Sequence, residues 1–245
     1  CPLLRVDHPV ATGTIALLGG HVLEWTPRGS QPVLFVSADA DFEEGKPIRG
    51  GIPVCWPWFG PREGLPGHGC VRTRFWEVAS ATSDDDGARV VLTFASDAAT
   101  LAQWPHPFAL ELTVTMGTAL DVALRMTHLG TVPVGITGAL HTYLRVGAIE
   151  QTTVAGLDGT SYADSLDHHQ IKPQHGDVTF DREVDRVYQS TATVRVNDAA
   201  WNRALVVSKS GSAATVVWNP WIEKSRRLTD LPDEAYHDFL CIEAA

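Results

Sequence analysis

The stretch Ala109–Thr127, ALELTVTMGTALDVALRMT, decides the fold class. Leu110, Leu112, Val114 and Met116 alternate with Glu111, Thr113 and Thr115. After Gly117-Thr118-Ala119 the alternation resumes, with Leu120, Val122, Leu124 and Met126 set against Asp121, Ala123, Arg125 and Thr127. A period of two places one set of side chains on one face of an extended chain. Two such runs around a short glycine-containing turn predict an antiparallel hairpin with one buried face.

Working outward, extended segments are predicted at Thr14–Leu18, Val33–Val36, Phe75–Ala79, Arg89–Phe94, Gly135–Val146, Ala192–Val196, Ala204–Ser208, Ala214–Trp218 and Phe239–Glu243. Helix is predicted only over Ala98–Trp104 and for a turn or two at Ile222–Leu228. Many strands at short spacing, punctuated by Gly, Pro and Asp, indicate an all-β sandwich or barrel. No low-complexity linker divides the chain and no repeat is evident, so a single domain over residues 1–245 is expected.

The 245 residues are 44% hydrophobic and 20% charged, the composition of a globular protein with ample core. A formal net charge of −10 argues against a nucleic-acid or anionic-membrane footprint, while leaving room for a local arginine cluster that takes a small anion. No apolar run of about 18 residues suggests a membrane span. The N-terminus has no charged segment leading into an apolar one. Cys1, Cys55, Cys70 and Cys241 form no CxxC pair, and three of them sit in apolar settings expected of free buried thiols. A cytoplasmic protein, monomeric, is the simplest expectation.

Phosphate-loop, dinucleotide and zincin motifs are absent, as is the G-x-S-x-G elbow. His168, His169 and His175 lack carboxylate or cysteine company, so no metal site is assigned. Three stretches carry chemistry. In Gly138–Arg145, His141 and Tyr143 share one strand face and Leu140 and Leu144 the other; a structural, hydrogen-bonded histidine would fit equally. In Asp238–Ala245, Glu243 closes an apolar strand, where burial would raise its pKa and make it a base near neutrality; a strand-end glutamate reaching solvent is the alternative. In Gly67–Arg74, His68 is flanked by glycines and followed by Arg72 and Arg74, with Arg49 a short way upstream. Arginine forks suit phosphate, although an ordinary basic loop would also read this way.

The loop IRGGIPVCWPWFGP (48–61) fits no regular element, since Pro53 and Pro57 would interrupt helix and ladder alike. With HGCVRTRFWEV (68–78), LHTYLRVG (140–147), FDREVDRVY (180–188), VVWNPW (216–221) and CIEAA (241–245), it forms an ordered set of six motifs. In these motifs the chain resembles the glucose-6-phosphate 1-epimerases, or hexose-6-phosphate mutarotases, of the aldose 1-epimerase superfamily, from roughly residue 10 to the C-terminus.

The resemblance implies a galactose-mutarotase-like β-supersandwich. It implies interconversion of the α and β anomers of glucose 6-phosphate and related hexose 6-phosphates, with no metal or organic cofactor. His141 matches the family's general acid, Glu243 its general base, and Asp185 an aspartate that contacts sugar hydroxyls. Arg49 and Arg72 match positions associated with the phosphate, and His68 a histidine near the sugar ring. The chain departs from the family at Gly67 and in reading GCVR where GFAR is usual. Family members continue for some tens of residues past the CIEAA motif, so the resemblance implies either a chain truncated at the C-terminus or one without the last strands. A non-catalytic sugar-phosphate-binding module, or an epimerase of unphosphorylated aldoses, are the competing readings. Trp56 or Trp58 is expected either to stack on sugar or to pack under the loop.

Overall fold

The computed structural model describes all 245 residues, and antiparallel strands account for nearly all of its regular structure. The chain divides into two compact units, Cys1–Leu34 with Asp41–Ala139, and Phe35–Ala40 with Leu140–Ala245.

The first unit contains β1 (Leu3–Asp7), β2 (Ala11–Ala16), β3 (His21–Pro27), β4 (Val54–Cys55), β5 (Glu77–Asp84), β6 (Gly87–Ala95), β7 (Phe108–Met116) and β8 (Leu120–His128). Strands β1-β2-β3 form one antiparallel sheet and β5-β6-β7-β8 another. The hairpin forms in the register that alternation demands, with Leu112 opposite Leu124 and Met116 opposite Leu120. Phe108, Leu110, Leu112, Val114 and Met116 are buried. The first sheet covers that face: Trp25 Nε1 donates to the Gly117 carbonyl, and a Cβ on Gly13 would overlap Met116 Sδ. Helix α1 (Ala98–Gln103) starts at a reciprocal cap, the Asp97 carboxylate accepting from Thr100 N–H and Thr100 Oγ1 accepting from Asp97 N–H.

The second unit contains β9 (Ala139–Arg145), β10 (Thr152–Ala155), β11 (Ser161–Asp164), β12 (Gln170–Pro173), β13 (Val178–Thr179), β14 (Val184–Tyr188), β15 (Val194–Asp198), β16 (Arg203–Val207), β17 (Thr215–Asn219) and β18 (Phe239–Ala244), with α2 (Trp221–Ser225) after β17. Its larger sheet runs β12-β11-β14-β17-β18-β9 and its smaller one β13-β10-β15-β16. Strand β18 is buried on both faces, Leu240 and Ile242 on one and Phe239, Cys241 and Glu243 on the other. Five short strands between residues 152 and 188 have no sequence counterpart among the predicted ones. Val33–Val36 was predicted as a strand but makes only isolated bridges. No helix is long and apolar enough to cross a membrane.

Candidate functional site

The second unit gathers a polar cluster on one face of its larger sheet. Residues directly opposite across antiparallel ladders share a face. Glu243 on β18 lies opposite His141 on β9, and Cys241 lies opposite Tyr143. Trp218 on β17 lies opposite Cys241 on one side and opposite Asp185 of β14 on the other. His141, Tyr143, Glu243, Trp218 and Asp185 therefore project from one surface.

On that surface Glu243 Oε1 stands 3.5 Å from His141 Nε2, with side chains 2% and 10% exposed. The His141 ring stacks on Tyr143, centroids 4.9 Å apart and planes 12° off parallel, and meets Trp218 edge-on at 6.0 Å. On the same face Phe239 contacts Tyr143 and Trp218 and stacks on Phe35 at 4.6 Å. This aromatic bed leaves the imidazole little freedom.

Burial holds the Glu243 carboxyl well above the ordinary carboxylate range, and the nearby Asp185 charge adds to the effect. Its Oε2 receives no hydrogen bond from the protein. A desolvated carboxyl without a full set of donors is costly, and such groups concentrate where chemistry needs a poised base. Asp185 is anchored differently. Lys224, from α2, lies 2.8 Å from Glu183 and 3.5 Å from Asp185, with its ammonium 5.7 Å from the Trp218 ring centroid. Asn219 shapes this corner: its amide donates to the carbonyls of Tyr236 and Phe239, and its Oδ1 accepts from Trp221 N–H.

The first unit gathers Arg49, His68 and Arg72. Burial, with the charges of Arg72 and Arg49 acting in the same direction, lowers the His68 pKa to about 4, so the imidazole is neutral at pH 7. His68 adopts φ 63, its N–H donating to the Gly60 carbonyl and its Nδ1 accepting from Gly60 N–H. Arg72 Nη2 donates to the Gly67 carbonyl at 2.9 Å. Two guanidiniums beside a neutral imidazole make a local anion-attracting corner in a chain of net charge −10.

The loop after Arg49 is built for close approach. At Gly69, φ +81, a Cβ would overlap the Trp56 carbonyl that accepts from Cys70 N–H. Trp56 and Trp58 are only 2% and 5% exposed. Trp56 packs on Trp104 and Phe108 and donates to Met126 Sδ, while Trp58 Nε1 donates to the Pro66 carbonyl. Both tryptophans are core beneath the loop. Sequence patterns give Lys224 and Trp218 no role of their own; the VVWNPW motif running into Glu223-Lys224 is the signal that reaches them. No group of three or more His, Cys, Asp or Glu side chains is arranged to hold a metal ion.

The family model described as aldose 1-epimerase matches residues 2–245. A protein of Escherichia coli K12, provisionally named glucose-6-phosphate 1-epimerase, is 38% identical over 247 residues, an alignment covering 99% of this chain and 82% of the relative. The crystal structure of a provisionally named mutarotase from Salmonella typhimurium superposes with a TM-score of 0.93 at 35% identity, over 99% of this chain and 82% of that one. A galactose mutarotase-like protein from Lactobacillus casei shares the fold at 13% identity, with a TM-score of 0.77 over 99% of this chain and 87% of that one.

Proposed function

The chain belongs to the aldose 1-epimerase family, and from that premise we propose that it is a hexose-6-phosphate mutarotase interconverting the α and β anomers of glucose 6-phosphate and related sugars. The observation that carries this reading is the buried cross-strand pair of Glu243 and His141, with 3.5 Å between carboxylate and imidazole. The relatives' names supply the sugar phosphate, and the arginine corner suits it.

Mutarotation needs one base and one acid at a single carbon. Ionised Glu243 takes the proton from the anomeric hydroxyl while protonated His141 delivers one to the ring oxygen. The bond between C1 and the ring oxygen breaks, its electron pair passing to that oxygen, and C1 becomes an aldehyde. Rotation about C1–C2 presents the opposite face of the carbonyl. Closure then reverses both transfers and restores the starting protonation of the pair. No covalent intermediate arises. An imidazole is the side chain that ordinarily titrates near neutrality, and burial brings the carboxyl of Glu243 toward it from below.

In this reading Asp185, steadied by Lys224, accepts hydrogen bonds from sugar hydroxyls. Arg49 and Arg72 take the phosphate, and His68 offers a neutral imidazole to the sugar. Binding energy from the phosphate, remote from C1, orients the ring for proton transfer. The deciding experiment is time-resolved NMR of freshly dissolved α-glucose 6-phosphate, in which catalytic protein should speed the approach to the anomeric equilibrium. Equilibration at the buffer rate would sink the proposal.

A further inference from the structure

Arg49 and Arg72 reside on different loops, so something must set the distance between them. One short segment touches both. The turn Leu17–Gly20 leads into β3, which opens with His21. Gly19 N–H donates to the Arg74 carbonyl at 2.7 Å, and Trp76 N–H donates back to the Leu17 carbonyl at 2.8 Å. Gly19 adopts φ +80, and a Cβ there would stand 2.6 Å from the Arg72 carbonyl oxygen. The turn thus lies directly against the backbone that carries Arg72.

Two residues later the same segment grips the other loop. His21 is fully buried, and its Nε2 is 2.7 Å from the Gly50 carbonyl, next to Arg49. A carbonyl only accepts, so Nε2 carries the hydrogen. Gly51, at φ +60, has room for no side chain: a Cβ would sit 2.8 Å from that same Nε2. Ile52 N–H then donates to the Val22 carbonyl at 2.8 Å. The chain after Arg49 is bolted through Gly50 and Ile52 to two consecutive residues of β3, His21 and Val22, the first bolt being an imidazole. Burial and the Arg72 charge keep that imidazole neutral, with a pKa lowered to about 4, and the Gly50 carbonyl selects the tautomer with hydrogen on Nε2.

We propose that the Gly19-Gly20-His21 turn is the gauge that sets the spacing of Arg49 and Arg72, making His21 a specificity-determining positioning residue for the substrate's phosphoryl group. This rests on the assignment of those arginines to phosphate. Paired guanidinium recognition is sensitive to displacements of a fraction of an ångström, so a slack Gly50 carbonyl should cost phosphate selectivity more than proton transfer.

The test compares His21→Gln, whose amide N–H can reach the Gly50 carbonyl, with His21→Asn, whose shorter amide cannot, and with His21→Leu. Two quantities are read: the ratio of kcat/KM for glucose 6-phosphate over glucose, and the Kd for inorganic phosphate by calorimetry. The Asn and Leu variants should lose roughly tenfold in the ratio, mostly through KM, and bind phosphate correspondingly more weakly, while Gln stays near wild type. If the Leu variant does not fold, the Gln and Asn pair carries the comparison. Equal losses on both sugars, an unchanged ratio, or a folded Gln variant as poor as Asn would overturn the proposal. Wild-type protein inactive on both sugars would refute the mutarotase reading instead. The phosphate titration then decides alone, and absent or unaltered phosphate binding overturns the gauge.

Discussion

Glu243 and His141 are direct partners across the β18–β9 ladder, and their carboxylate and imidazole meet at 3.5 Å inside an aromatic bed. An antiparallel register is a rigid way to hold an acid and a base together, because sliding either strand by one residue would send one of them to the opposite face. The arrangement leads to separate expectations for rate, pH and stability.

Replacing Glu243 by Gln, or His141 by Ala, should lower kcat by roughly 10²- to 10⁴-fold with a smaller change in KM. Steady-state anomerisation rates for glucose 6-phosphate give the measurement, and full activity in either variant would remove that residue from the mechanism.

As the proposed base, Glu243 has to be ionised to act, and burial raises its pKa above the usual 4.5. The rate should therefore fall as pH drops through a midpoint above 4.5. Part of the rise comes from the Asp185 charge, so Asp185→Asn should move that midpoint downward. A pH profile of kcat/KM for both proteins checks the sign.

The same burial has a stability consequence. Because the folded-state pKa of Glu243 is raised, the fold is favoured while the group holds its proton and loses stability as pH rises through the folded pKa. Glu243→Gln should melt higher than wild type at pH 8, and the gain should vanish below about pH 4.5, where both chains carry a neutral side chain. Each kcal/mol gained corresponds to roughly 2–4 °C for a chain of this size. Equal Tm differences at the two pH values would contradict the assignment.

His21 predicts the opposite trend. Its pKa falls from 6.5 to about 4 on folding, so it contributes stability that is present above pH 6.5 and lost as pH falls toward 4. At about 1.4 kcal/mol per unit, the loss approaches 3 kcal/mol by pH 4. Urea unfolding from pH 7 to pH 4 should be markedly flatter for His21→Gln, which has no proton to gain.

Arg49→Ala and Arg72→Ala should each raise KM for glucose 6-phosphate by roughly ten- to a hundredfold, with a smaller effect on glucose. Equal losses on the two sugars would remove the phosphate assignment from that arginine.

Much of the architecture was legible because its signal is local. The alternation of Leu110 to Met116 and of Leu120 to Met126 names a hairpin, and the structure forms it in that register. Asp97 and Thr100 mark the start of α1 with their own side chains. Parity along each strand placed His141 with Tyr143 and Cys241 with Glu243 before any partner was known. The short strands of residues 152–188, four or five residues each or fewer, carry too few alternations to stand out from loops. Val33–Val36 has strand-like residues but finds only isolated bridges.

Local pattern along the chain was enough for the all-β class, the faces of the key strands, and, through six ordered motifs, the family. Folding was needed to show that His141 stands opposite Glu243, that Lys224 steadies Asp185, and that His21 grips the backbone beside Arg49. It also chose between the two readings open for Trp56 and Trp58, burying both in the core beneath the loop. The reason is physical. Periodicity and capping act between residues a few positions apart, whereas cross-strand pairing and burial join residues as distant as 141 and 243, and only folding brings them into contact.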